Sequence, residues 1–230
     1  GKYPFRHYGF AGMGPDERQE YAASIYHREV ADAIHAFETK DFPASLVHIE
    51  HALALIEHAK KRSDFKQLTT LAVETAFEVS DYEKGIFFQQ KLLDALTPEA
   101  PAAERAEVEY RLGILHSRLE HFDIAVKHLE HANRIWQQGE ELDRLAEGMA
   151  TLGIVRENMG AYTAALEQFN QSFSLYQEIG EMAESNRQRK GAAQTGEHGL
   201  DRLGWRMACL DLFGDEMRHP FGIRLGAEFP

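Results

Sequence analysis

The sequence predicts an all-α fold, a solenoid of stacked antiparallel helical hairpins. Three observations carry this. Aromatic residues recur every forty positions, at Phe42, Tyr82, Phe122 and Tyr162. Small residues follow in a fixed phase, Ser45, Gly85, Ala125 and Ala165, and others precede, Ala33, Val73, Gly113 and Gly153. Within each period the apolar residues step by three and four, the stripe of an amphipathic helix. A repeat of this length is the signature of stacked supersecondary units that bury their apolar faces on one another.

Taken along the chain, residues 1–14 (GKYPFRHYGFAGMG) read as an irregular aromatic segment. Residues 15–180 read as four hairpins. Pro15-Asp16, Pro43 and Ser63-Asp64 are helix-start signals. In the third hairpin Val108, Leu112, Leu115 and Leu119 stripe the first helix, and Phe122, Ala125, Leu129, Ala132 and Trp136 the second. Two antiparallel helices need small side chains where their axes approach, and Gly113, Ala125 and Ala132 supply them. Residues 181–213 are expected to hold capping helices, first 181–198 and then the stripe Leu200, Leu203, Met207 and Leu210. Residues 214–230 are expected to be an extended apolar tail.

Composition narrows the function. The chain has 230 residues, 43% of them apolar, and a formal net charge of −12. Nucleic acid needs a basic face to neutralise its phosphates, so none is expected as a partner. No apolar run approaches the roughly 18–20 residues that span a bilayer, and no membrane insertion is expected. Cys209 is the single cysteine, which excludes an internal disulfide and a cysteine zinc cage. A reducing, cytoplasmic setting fits. Residues 1–14 do not read as a signal peptide, and a start at Gly1 rather than Met is compatible with trimming.

Segments 106–138 and 146–178 resemble tetratricopeptide repeats, through Leu112-Gly113, Phe122, Ala125, Leu129 and Ala132, then Leu152-Gly153, Tyr162, Ala165 and Phe169. Segments 26–58 and 66–98 match through fewer residues: Ala33, Phe42, Ile49 and Ala52, then Tyr82 and Gly85. The period of forty is similar to the longer-helix variants of that family. The resemblance implies a right-handed superhelix whose first helices line a concave groove. It also implies the groove's lining: Val30, Ile34, Phe37, Phe77, Tyr110, Ile114 and Ile154 as an apolar strip, with Glu74, Glu107, Glu147, Glu157, Arg118 and Asn158 along it. Basic residues are nearly absent from this set, so a clamp for a C-terminal carboxylate is not expected. The alternative is that these side chains pack between neighbouring helices and expose little.

The implied function is a scaffold, an adaptor, assembly factor or sensor domain, that holds a partner helix or apolar segment in the groove. A partner with a basic amphipathic helix would suit the glutamates. A second possibility is self-assembly, with the apolar segments 3–10 and 219–230 docking into neighbouring copies to build a homo-oligomer. Enzymatic chemistry is not expected: there is no Gly-x-Ser-x-Gly, and GFAGMG at 9–14 lacks the Lys-Ser/Thr of a phosphate loop.

No cofactor is expected either. His48-x-Glu-His51-Ala and His128-x-Glu-His131-Ala repeat eighty residues apart. On a helical wheel centred on Leu129, His128 lies about 100° to one side and His131 nearly opposite. The second histidine of each pair, His51 or His131, therefore reads as facing solvent and the first, His48 or His128, as flanking the core, with Glu50 or Glu130 beside them and no third ligand visible to complete a metal site.

Overall fold

A computed structural model describes residues 12–191, with side chains as far as Met182. Among these residues there are eight α-helices and no strand. They are α1 (Pro15–Glu38), α2 (Phe42–Leu55), α3 (Phe65–Glu78), α4 (Tyr82–Ala95), α5 (Ala102–Arg118), α6 (Phe122–Gln138), α7 (Leu142–Asn158) and α8 (Tyr162–Gly191). From α1 to α7 each helix packs on the next in chain order, and α5 also touches α7. The result is an all-α helical-repeat solenoid.

Its period is set at the turns. The chain enters the left-handed region at Lys40, Ser80 and Glu120, with φ of 63°, 59° and 60°, and at Gly160, with φ of 77°. The residue after each donates its N–H five residues back: Asp41 to Ala36 and Asp81 to Ala76 at 2.8 Å, His121 to His116 at 2.9 Å, Ala161 to Arg156 at 2.8 Å. This is the Schellman closure, which satisfies carbonyls that a helix end leaves unpaired. The same residue opens the second helix. Asp41 and Asp81 cap it, accepting from the N–H groups of Ala44 and Lys84 at 3.2 and 3.1 Å.

The recurring aromatic then folds back onto the first helix. Phe42 meets Phe37 edge-on with centroids 5.4 Å apart, and Tyr82 meets Phe77 in the same way. Tyr162 departs from this pattern and is 70% exposed.

Between the helices the core is apolar and closely fitted. Val73, Leu112, Leu115, Leu129 and Trp136 are fully buried. Gly113 is the tightest approach of α5 to α6: a Cβ there would stand 2.6 Å from Leu129 Cγ and 3.2 Å from the Ala125 carbonyl oxygen. Buried hydroxyls stitch hairpin partners together, Ser45 Oγ donating to the Ala33 carbonyl at 2.8 Å and Ser172 Oγ to that of Ala146 at 2.7 Å.

The chain divides into two compact units, one ending at Phe173 and one beginning at Ser174. The described part of the second unit is the remainder of α8, which passes residue 181 as unbroken helix to Gly191. No helix boundary falls at 180/181. The capping stripe at 200–210, the tail at 214–230 and segment 3–10 lie outside the described residues. Among the described residues, no helix is long and apolar enough to cross a membrane.

Candidate functional site

The first helices of the four hairpins, α1, α3, α5 and α7, carry the residues assigned to the groove. The structure sorts those residues into three groups. Ile34 is 46% exposed, and Arg118, Glu157 and Asn158 are exposed as well. Val30, Phe37, Phe77 and Ile154 are half-buried, and so are Glu74, Glu107 and Glu147. Tyr110 and Ile114 are buried, at 5% and 3% exposure.

The burial of Tyr110 and Ile114 corrects the expectation that they offer surface to a partner. Tyr110 is held between α5 and α7. Its hydroxyl donates to Glu147 Oε1 at 3.0 Å and lies 3.0 Å from Thr151 Oγ1, and its ring meets Trp136 edge-on at 5.3 Å. Burial first, then the negative charge of Glu147, push the phenol well above its ordinary range, so it stays protonated as a donor. For these two residues the inter-helix packing alternative holds.

The glutamates also differ from expectation. Two arginines that the groove reading left out, Arg111 and Arg144, thread between them. Arg111 reaches Glu107 at 2.9 Å and Glu74 at 3.8 Å, and Arg144 reaches Glu147 at 3.0 Å and Glu107 at 3.5 Å. The chain Glu74–Arg111–Glu107–Arg144–Glu147 thus crosses from α3 over α5 to α7, and the middle of this face is internally paired. Burial opposes the Arg144 charge, but Glu107 and Glu147 outweigh it and hold its pKa above the ordinary value.

What remains open lies at the C-terminal turns of the first helices. There Ile34, Glu38, Glu78, Arg118, Glu157 and Asn158 are exposed, with Phe37 and Phe77 half-buried behind them. The Arg118 guanidinium lies over the Phe77 ring, 5.4 Å from its centroid, and joins α3 to α5 at this rim.

The histidine pairs are the second feature. The buried stripe of α6 runs through Ala125, Leu129, Ala132, Asn133 and Trp136, so its centre lies close to Leu129 and Trp136, with His128 about 80° and His131 about 140° from it. Both imidazoles nevertheless reach one buried carboxylate on the preceding helix. His128 Nδ1 lies 2.6 Å from Glu109 Oε2 and His131 Nδ1 lies 3.0 Å from Glu109 Oε1. In the first hairpin, His48 Nδ1 and His51 Nδ1 lie 2.8 and 3.3 Å from Glu29 Oε2.

Glu29 and Glu109 are each 6% exposed. A carboxylate that buried is costly unless partnered, and the imidazoles are its partners. Burial works to raise both carboxyls; the bonds and charges of the two histidines outweigh it and hold each below the ordinary value of 4.5.

The expectation that no third group joins each pair is therefore corrected. The signal was in the repeat: the forty-residue phase holds Glu29 and Glu109 where the histidine pairs follow, but Thr69 and Met149 where they do not. His116 extends the third-hairpin cluster. Its ring stacks on His128 with centroids 5.5 Å apart and planes 3° from parallel, and its buried Nδ1 has no hydrogen-bond partner. Burial, then the charges of His128 and His121, push its pKa down to about 4.

Comparison with known proteins agrees with this architecture. Residues 104–178, about a third of the chain, match the family model for the tetratricopeptide repeat. Over those residues the chain is similar to tetratricopeptide repeats. Among solved structures, the apo form of RapI is similar at 16% identity and a TM-score of 0.55, over 77% of this chain and 62% of that one. A Rap protein solved in complex with competence and sporulation factor is similar at 19% identity and a TM-score of 0.52, over 67% of this chain and 43% of that one. The chain thus spans less than two thirds of either neighbour, and the likeness is one of fold. Among the curated proteins compared, none matches the sequence. The helical pairs before residue 104 continue the same repeat with the same left-handed turn.

Proposed function

We propose that this tetratricopeptide-repeat chain binds a segment of another protein or a peptide across the C-terminal turns of α1, α3, α5 and α7. The observation that carries this is the exposure of Ile34, Arg118, Glu157 and Asn158 within the last five residues of their helices, beside a middle stretch closed by its own ion pairs. An apolar side chain of the partner would pack on Ile34 with Phe37 and Phe77 behind it. Exposed Glu38, Glu78 and Glu157 favour basic residues flanking that anchor. A neighbour of the same fold binds a partner, competence and sporulation factor, which supports a binding role for the repeats here.

The test uses the double variant Ile34→Asp with Arg118→Glu, both at exposed positions. Labelled wild-type and variant chains are applied to one peptide array and to one pull-down from the native source. Peptides and proteins held by the wild type should bind the variant at least about tenfold more weakly, the loss expected when a central apolar anchor is removed. Equal retention by the variant rules out this face.

A further inference from the structure

The first hairpin brings three metal-ligating groups to one point. Glu29 comes from α1, and His48 and His51 from α2, one turn apart on the same side. Their ligand atoms all lie within 4.8 Å of one another. Both imidazole Nδ1 atoms point at the same carboxylate oxygen, Glu29 Oε2. The other oxygen, Oε1, has Arg28 Nη2 at 3.7 Å. The carboxylate is buried, while the two imidazole side chains are 33% and 37% exposed, which leaves the point of convergence open to water on one side.

We propose that Glu29, His48 and His51 form a binding site for one divalent transition-metal ion, Zn2+ above all, with water in the fourth position. Two imidazoles and a carboxylate are a borderline-soft N/O set, which suits Zn2+ and not Mg2+ or Ca2+. Tetrahedral zinc with bonds of about 2.0–2.2 Å separates its ligand atoms by about 3.3 Å. The His51–Glu29 separation is already 3.3 Å, and the His48–Glu29 separation of 2.8 Å must open by about half an ångström. Binding replaces the N–H···O bonds. Each imidazole gives its Nδ1 lone pair to the ion and carries its hydrogen on Nε2; a protonated ring releases one proton to solvent. The ion would fasten α1 to α2 and so stiffen the first hairpin.

The third hairpin has the same residues but a different geometry. His128 and His131 grip opposite oxygens of Glu109, and His128 is stacked on His116. Those donors are not gathered on one atom, so the site belongs to the first hairpin alone.

The experiment titrates the full chain, free of any polyhistidine tag, with Zn2+ in competition with a chromophoric chelator. The expected result is one ion per chain. Affinity should fall at least about tenfold in Glu29→Gln and in His51→Ala, and stay unchanged in His131→Ala. Fewer than half an ion per chain in the wild type overturns the proposal, and that reading needs no variant to fold. Binding that survives His51→Ala, or that disappears with His131→Ala instead, overturns it as well.

Discussion

His128 Nδ1 stands 2.6 Å from Glu109 Oε2, across the contact between α5 and α6. That bond, with the one from His131, keeps a buried carboxylate ionised. Glu109→Gln retains the shape and loses the charge-assisted bonds, so it should cost about 1–3 kcal/mol at neutral pH by urea unfolding. The folded pKa of Glu109 lies below its ordinary 4.5. Its contribution is therefore present above about pH 4.5 and fades as pH falls through the lowered value. The difference between wild type and Glu109→Gln should shrink over that acid range, and a pH-independent difference would count against the assignment.

His116 governs a separate and higher pH window. Its folded pKa of about 4 lies below the ordinary 6.5, so the folded state binds fewer protons than the unfolded one. Stability is then fully present above pH 6.5 and declines from there towards pH 4. His116→Leu should flatten this decline without changing the behaviour above pH 7. Urea midpoints at half-unit steps of pH between 4 and 8 make the comparison.

The left-handed turn residues should respond oppositely in different repeats. Glu120 pays steric strain at φ 60°, which a glycine would not. Glu120→Gly is expected to stabilise by about 0.5–1 kcal/mol, a rise in Tm of roughly 1–4 °C for a domain of this size. Gly160, at φ 77° with open space around it, should lose about 1 kcal/mol when changed to alanine. Thermal melts followed by circular dichroism at 222 nm give both values.

Tyr110 separates a lost hydrogen bond from a lost core ring. In Tyr110→Phe, Glu147 keeps its pairing with Arg144 and Thr151 keeps its bond to the Glu147 carbonyl. The cost should be about 1 kcal/mol. Tyr110→Ala opens a cavity beside Trp136 and should cost about 3–5 kcal/mol. Partner binding by Tyr110→Phe should equal that of the wild type, because the residue is buried; weakened binding in that variant would return Tyr110 to the contact surface.

The repeat was legible because it rests on local rules. Gly113 against Leu129, and the aromatics that close on Phe37 and Phe77, obey spacing that a sequence shows directly. Exposure along α5 was not legible in the same way. Ile114 and Ile154 share a phase, yet Ile114 is buried and Ile154 half-buried. Which side of a first helix is covered depends on how near the next hairpin lies, and a helical wheel of one helix does not contain that distance. The Glu29 and Glu109 partnerships span nineteen to twenty-two residues. They become visible only when the phases of the two helices are compared across repeats.

The left-handed residues at 40, 80, 120 and 160 mark where the chain can be shortened by a whole module. Each hairpin closes through hydrogen bonds within six consecutive residues, so its formation asks little of distant parts of the chain. Excision of residues 80–119 would rejoin Val79 to Glu120 in matching registers and hand α3 directly to α6. A cut of twenty residues would instead set first helices against first helices. The ladder of turns thus works as a set of interchangeable joints, and it favours growth or loss of this protein in steps of forty residues.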